Sequence, residues 1–97
     1  MNEDLHNFEW DLGKEVSNIV KHNGDFATAA EAFIDPRRCI LIDHEHSFHE
    51  TRFFCLGKVN DKVLTVRFLY RKNRIRIIGA GYWRKGEKYY DQKNTQN

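Results

Sequence analysis

Three imidazoles and a carboxylate fall close together at His44, His46, His49 and Glu50. All four side chains are competent metal ligands. The spacing is not that of a helical zinc motif, because Phe48 stands where a second His would be needed. The stretch is read instead as a solvated polar loop with titratable His. Lys21-His22 is a second candidate. An imidazole titrates near neutral pH and can move protons beside a cation. The same pair also suits the negative end of a helix. Arg67, Arg74 and Arg76 form a third group, on segments that alternate like strands. A guanidinium fork binds two phosphate oxygens at once. Cys39 and Cys55 lie in apolar surroundings and read as core thiols, not nucleophiles. There is no Gly-rich phosphate loop and no nucleophile elbow.

The elements that must hold these residues change character along the chain. Residues 6–10 alternate polar and apolar, like a short strand. Asp11 then suits a helix N-cap, and Leu12, Val16, Ile19 and Val20 follow at helical spacing, with Gly24 as the stop. A second helix is expected over residues 26–34. Asp25 caps it, Phe26, Ala29, Ala30 and Phe33 form its apolar stripe, and Asp35-Pro36 ends it. Strands are expected over residues 38–43, 52–59, 62–71 and 74–80, with turns at Asn60-Asp61 and Lys72-Asn73. In the third of these, Leu64, Val66, Phe68 and Tyr70 share one face while Thr65, Arg67 and Arg71 share the other. Short connections make the last three strands an antiparallel meander. A helix is expected from about Lys85, with fraying from Asn94. The fold expected is α+β: two N-terminal helices packed on one face of an antiparallel sheet of about four strands, with a short C-terminal helix.

The whole 97-residue chain reads as a single domain. Its longest apolar run, Cys39-Ile40-Leu41-Ile42, is far short of the roughly 20 residues of a membrane span. The opening residues are acidic and carry no signal-like apolar stretch, so a reduced, cytoplasmic setting is expected. The net charge is only +2, but it is unevenly spread. Residues 1–50 carry four basic and eleven acidic groups, whereas residues 51–97 carry twelve basic and three acidic ones. A fold that separates these halves presents a positive face that attracts phosphates. The alternative is that the halves pack together and neutralise each other.

Taken together, Phe8-Glu9-Trp10-Asp11, Lys14, Asn18, Lys21-His22, Gly24, Phe26, Ala29-Ala30, Phe33 and Asp35-Pro36 resemble the opening pattern of BrnT-type toxins. Glu50-x-Arg52, Gly57, Val66 and Arg74-Ile75-Arg76-Ile77-Ile78 are similar to the rest of that pattern. The resemblance implies a RelE-like fold and a ribonuclease toxin of a type II toxin–antitoxin pair. It also implies a cognate antitoxin with a ribbon-helix-helix-like DNA-binding part, so that promoter DNA is met only through the complex. Where the family continues its last strand as Ile-Ser-Ala-Arg, this chain reads Ile78-Gly79-Ala80-Gly81, and Arg84 stands three residues on.

A ribonuclease of this kind works without metal or cofactor and uses the RNA 2′-hydroxyl as nucleophile. It needs a base, an acid, and cations for the charge on phosphorus. Arg52 and Arg76 are the expected charge stabilisers, and His22 or Glu50 the expected base. Lys14, Lys21, Arg74 and Arg84 are expected to bind RNA, and Trp10 to stack a base. Two other readings stand beside this one: a non-catalytic nucleic-acid-binding regulator, and a small metal-binding domain using His44 to His49.

Overall fold

The computed structural model describes residues 7–95. The acidic opening and the expected strand residue His6 lie outside them, as do Gln96 and Asn97. Strand β1 (Phe8–Trp10) leads into helix α1 (Leu12–His22) and helix α2 (Phe26–Ala30), which tightens into a 3₁₀ turn over Glu31–Ile34. Strand β2 (Cys39–Ile42) and a one-turn 3₁₀ segment (His44–His46) follow. Strands β3 (Phe53–Val59), β4 (Lys62–Arg71) and β5 (Arg74–Gly81) then precede helix α3 (Arg84–Thr95).

The α+β class and the β3-β4-β5 meander match the sequence reading, but the sheet is larger and mixed. It has five strands in the order β1-β5-β4-β3-β2. Every pair is antiparallel except β1 with β5, which is parallel. Three residues are too few to reveal a pairing direction on their own, so β1 is defined only by its partner. The helices also divide differently from expectation. α1 and α2 lie on one face, whereas α3 packs on the other, against β3 and β4. It is twelve residues long and includes Asn94 and Thr95, where fraying is expected from sequence. The Asn94 amide donates to the Tyr90 and Arg37 carbonyls.

Both hairpin turns have two central residues at positive φ: Asn60 (52°) with Asp61 (67°), and Lys72 (52°) with Asn73 (66°). That conformation matches the right-handed twist of the flanking strands. Asn and Asp adopt it at low cost, which is why these sites are legible in sequence. Asp11 caps α1 as expected, its carboxylate accepting from the Lys14 amide at 2.9 Å. The helix ends one residue earlier than Gly24, on Asn23 at φ 55°.

The main core lies between the sheet and the N-terminal helices. Phe26, Ala29, Ala30 and Ala32 pack on Cys55, Val66, Phe68, Ile77 and Ala80, all nearly or wholly buried. A methyl at Gly57 would collide with the Ala32 carbonyl, so glycine at that site lets the 3₁₀ turn rest directly on the sheet. Helix α1 is anchored differently. Its expected apolar residues Leu12, Val16, Ile19 and Val20 are exposed, at 72%, 60%, 41% and 80%. The buried residue is Asn18, whose amide donates to the Gly24 and Ala80 carbonyls and accepts from the Ala80 amide. One polar side chain thus satisfies both backbone groups of Ala80, which would be costly to leave unpaired.

The sheet's second face is only partly covered. Tyr90 and Tyr89 of α3 pack on Leu56, Val63, Leu41 and Phe54 at one end. The helix is pinned there by Asp35. Its carboxylate accepts from the Tyr90 hydroxyl at 2.5 Å, the Lys58 amide at 2.7 Å and the Arg37 amide at 2.9 Å. Burial pushes the Asp35 carboxyl up, but these donors outweigh it and hold the group below its usual 3.8. A depressed carboxylate stabilises the fold above its unfolded-state value and loses that contribution as pH falls through the folded-state value. Thermal unfolding of wild type and Asp35→Asn should therefore differ most above about pH 4, the ordinary Asp value. The gap should narrow steadily at more acid pH; a gap independent of pH would contradict this role.

Candidate nucleic-acid interface

Strand alternation decides which side chains reach the uncovered part of the second face. On β4, Leu64, Val66 and Phe68 enter the main core, so Thr65, Arg67, Leu69 and Arg71 point the other way. Register then builds rows across the sheet. Leu69 stands beside Arg76, and Arg76 beside Glu9. Arg71 stands beside Arg74. Arg52 immediately precedes β3, and its carbonyl accepts from the Asp43 amide at 2.7 Å, extending the β2–β3 pairing by a step.

Arg67 is placed by an irregularity. The β4–β5 register shifts at Arg67/Phe68, which makes Ile78 an extra residue in β5. Gly79, not Ile78, then stands beside Arg67. The Arg67 guanidinium lies where a Gly79 side chain would project, with Nη2 and Nε at 2.6 and 2.9 Å from the position of an added Cβ. Any larger residue at 79 would displace it.

Five guanidinium groups (Arg52, Arg67, Arg71, Arg74 and Arg76) therefore belong to one region of the sheet. Two carboxylates share it. Glu9 lies 3.3 Å from Arg76 and 3.8 Å from Arg74, and Arg74 also donates to the Phe8 carbonyl at 3.0 Å. Glu50 accepts from Arg71 at 2.8 Å. That bond, with the nearby charges of Arg71, Arg52 and Arg76, holds the Glu50 carboxyl below its usual 4.5. A carboxylate so stabilised is a weak base, and its clearest effect is to fix Arg71. The positive excess on this face comes from C-terminal-half residues not all matched by acidic neighbours.

Beside this arginine field runs a groove of about 690 Å³ between α3 and the loop after β2. Phe54, Leu56, Thr65 and Arg67 line it from the sheet. Trp83, Lys85 and Tyr89 line it from the α3 side, and residues 43–46 from the other. The loop is tightly held. The Ser47 hydroxyl donates to the Asp43 carbonyl at 2.7 Å and accepts from the Arg52 amide at 2.8 Å. Asp43 is buried, and its carboxylate lies 2.9 Å from His46 Nδ1.

The remaining residues singled out in the sequence disperse. Lys14 and Lys21 are exposed on α1, on the opposite side of the sheet from α3. His22 packs edge-on against the groove residue Trp83 with ring centroids 5.4 Å apart, without lining the groove itself. Trp10 packs edge-on against Phe26, on the core side of the sheet. Arg84 lines a separate hollow with Lys62, Tyr82 and Glu87. The site of Gly81 is capped by the Trp83 ring, which a side chain there would meet at 3.1 Å. Cys55 is buried, and burial pushes its thiol up to about 12. Cys39 and Cys55 are both free and belong to opposite sheet faces. Among the described residues no three His, Cys, Asp or Glu side chains gather to hold a metal, so His44, His46, His49 and Glu50 do not converge. Among the same residues no helix is long and apolar enough to cross a membrane.

Sequence reasoning grouped Arg67 with Arg74 and Arg76 and read His46 only as a loop or metal-ligand candidate, and it did not single out Asp43. The alternation of β4 placed Arg67 on the right face, but the bulge that makes room for it has no sequence signature. The pairing of Asp43 with His46 depends on the one-turn helix that brings the two side chains together.

Residues 10–87 match a family model described as ribonuclease toxin, BrnT, of type II toxin–antitoxin system. No curated protein matches the chain significantly.

The Glu50–Arg71 pair is open to direct measurement. Carboxyl carbon NMR titration should place Glu50 below 4.5 in the wild-type protein. In Arg71→Gln the value should move upward toward the ordinary range, because the bonded cation is gone. An unchanged titration would remove Arg71 as the cause.

Proposed function

Since the chain belongs to the BrnT family, the ribonuclease toxins of type II toxin–antitoxin systems, we propose that it is an endoribonuclease that cleaves RNA on the arginine-lined sheet face. The observation that carries this reading is the gathering of Arg52, Arg71, Arg74 and Arg76 around Glu9 and Glu50 on a surface the helices leave uncovered. An extended polyanion suits such a surface, since each phosphate presents oxygens to a planar fork. The family also implies an antitoxin partner and RNA as substrate. A ribbon-helix-helix-like DNA-binding part in that antitoxin, and a RelE-like relationship of the fold, complete the proposal.

The chemistry is attack by the RNA 2′-hydroxyl on the adjacent phosphorus, leaving a cyclic phosphate and a free 5′-hydroxyl. It requires no metal. Arg52 and Arg76 stabilise the charge that builds on the phosphoryl oxygens. Glu9 holds Arg76 and Arg74 at fixed positions, which limits the reorganisation needed when substrate arrives. Glu50 does the same for Arg71.

Purified Arg52→Ala and Arg76→Ala proteins should each cleave single-stranded RNA on the order of 10²-fold more slowly than wild type, as expected for loss of a transition-state cation. Cleavage should persist in chelator and yield cyclic-phosphate ends. Undiminished cleavage by both variants would remove these residues from the mechanism.

A further inference from the structure

The two carboxylates described on the arginine face are both engaged by arginines, and the Arg71 bond makes Glu50 a weak base. The adjacent groove contains an imidazole. His46 Nδ1 lies 2.9 Å from the Asp43 carboxylate, with His46 half exposed at 50% and Asp43 at 6%. A buried carboxylate on Nδ1 fixes the ring and selects the tautomer that leaves Nε2 free to accept a proton. The loop around the pair is held by Ser47, which bonds both the Asp43 carbonyl and the Arg52 amide. His46 is therefore tied through its own loop to the residue that opens β3.

A second observation points independently to an anion in this groove. Arg67 Nε is buried and has no hydrogen-bond partner among the described residues. Its guanidinium rests over Gly79 and lines the same groove as His46. Arg67 as a whole is only half-buried, so its positive charge is presented to the groove, where it favours an anion. Arg67 lies one same-face step along β4 from Leu69, which stands in the row of Arg76. That step is about 7 Å. The groove thus begins one same-face position along β4 from the row of Arg76.

Resting on the ribonuclease reading above, we infer that His46 is the general base of the reaction, with Asp43 its positioning residue and Arg67 a phosphate ligand beside it. His46 Nε2 takes the proton from the RNA 2′-hydroxyl. The O2′–P bond forms as the P–O5′ bond breaks, and the departing 5′-oxygen takes a proton from water. The hydroxide so formed recovers the proton from His46. The charged and titratable groups facing His46 are His44, Glu45 and Asp43 of its own loop, Arg52 at the loop's end, Arg67 of β4, and Lys85 and Tyr89 of α3.

The test compares single-stranded RNA cleavage by wild type, His46→Ala, His46→Gln, Asp43→Asn and His49→Ala. His46→Ala and His46→Gln should be slower by about 10²-fold or more, the usual range for a lost general base. They should lose the acid limb of the rate–pH profile, and added imidazole should partly restore His46→Ala. Asp43→Asn should lower kcat with little change in KM, because the ring is misoriented while RNA contacts remain. His49→Ala, an exposed neighbour, should match wild type. If wild type cleaves RNA and both His46 variants keep its rate and pH profile, His46 is not the base, and the ribonuclease reading survives. If wild type cleaves no RNA, that reading fails and the present inference fails with it.

Discussion

Asp35 is the point on which the functional surface depends. One carboxylate binds the α3 hydroxyl of Tyr90, the β3 amide of Lys58 and the amide of Arg37. It fixes the helix across one end of the second sheet face and no further. Were α3 free to slide along the strands, it would cover the arginine residues. Were it absent, Leu56 and Val63 would lose their cover and the groove its far wall. The same carboxylate closes the helical N-terminal part of the chain, just before Pro36, and so ties that part to α3.

The sheet keeps its two faces distinct. On the core side the contacts are apolar and include edge-to-face aromatic pairs, Phe33 with Phe68 and Phe8 with Phe33 among them. On the part of the other side that α3 leaves uncovered, the side chains are mostly charged around a buried Leu69. A sheet covered fully on both sides would have no surface for a polyanion. A sheet with an uncovered apolar side would aggregate. This chain avoids both by placing arginines where α3 does not reach, and by using Glu9 from β1 and Glu50 from a loop to hold them in place.

Folding changes the meaning of the charge asymmetry. Among the described residues, most acidic groups of the first half are not spent on neutralising arginines of the second. Asp11 and Asp25 cap helices, Asp43 bonds within its own loop, and Asp35 accepts from backbone amides and the Tyr90 hydroxyl. Only Glu9 and Glu50 meet arginines of the second half among the described ion pairs. The C-terminal half therefore keeps much of its positive charge at one face.

Much of this was written in the residues themselves. Alternation in β4 and β5 set which arginines share a face, because a strand's period of two follows from backbone geometry alone. The Asn-Asp and Lys-Asn turns and the Asp caps were equally legible, since each rests on a few adjacent residues. The parallel pairing of β1, the exposed apolar stripe of α1, the side taken by α3 and the bulge at Ile78 were not. Each depends on contacts between residues far apart in sequence. Asn18 shows the limit most clearly: its side chain binds Ala80, sixty-two positions away. Local pattern favours burying Leu12, Val16, Ile19 and Val20, whereas the helix is in fact seated on that polar residue. The Asp43–His46 pair and the unpaired Nε of Arg67 became a candidate site only when tertiary packing set them along one groove.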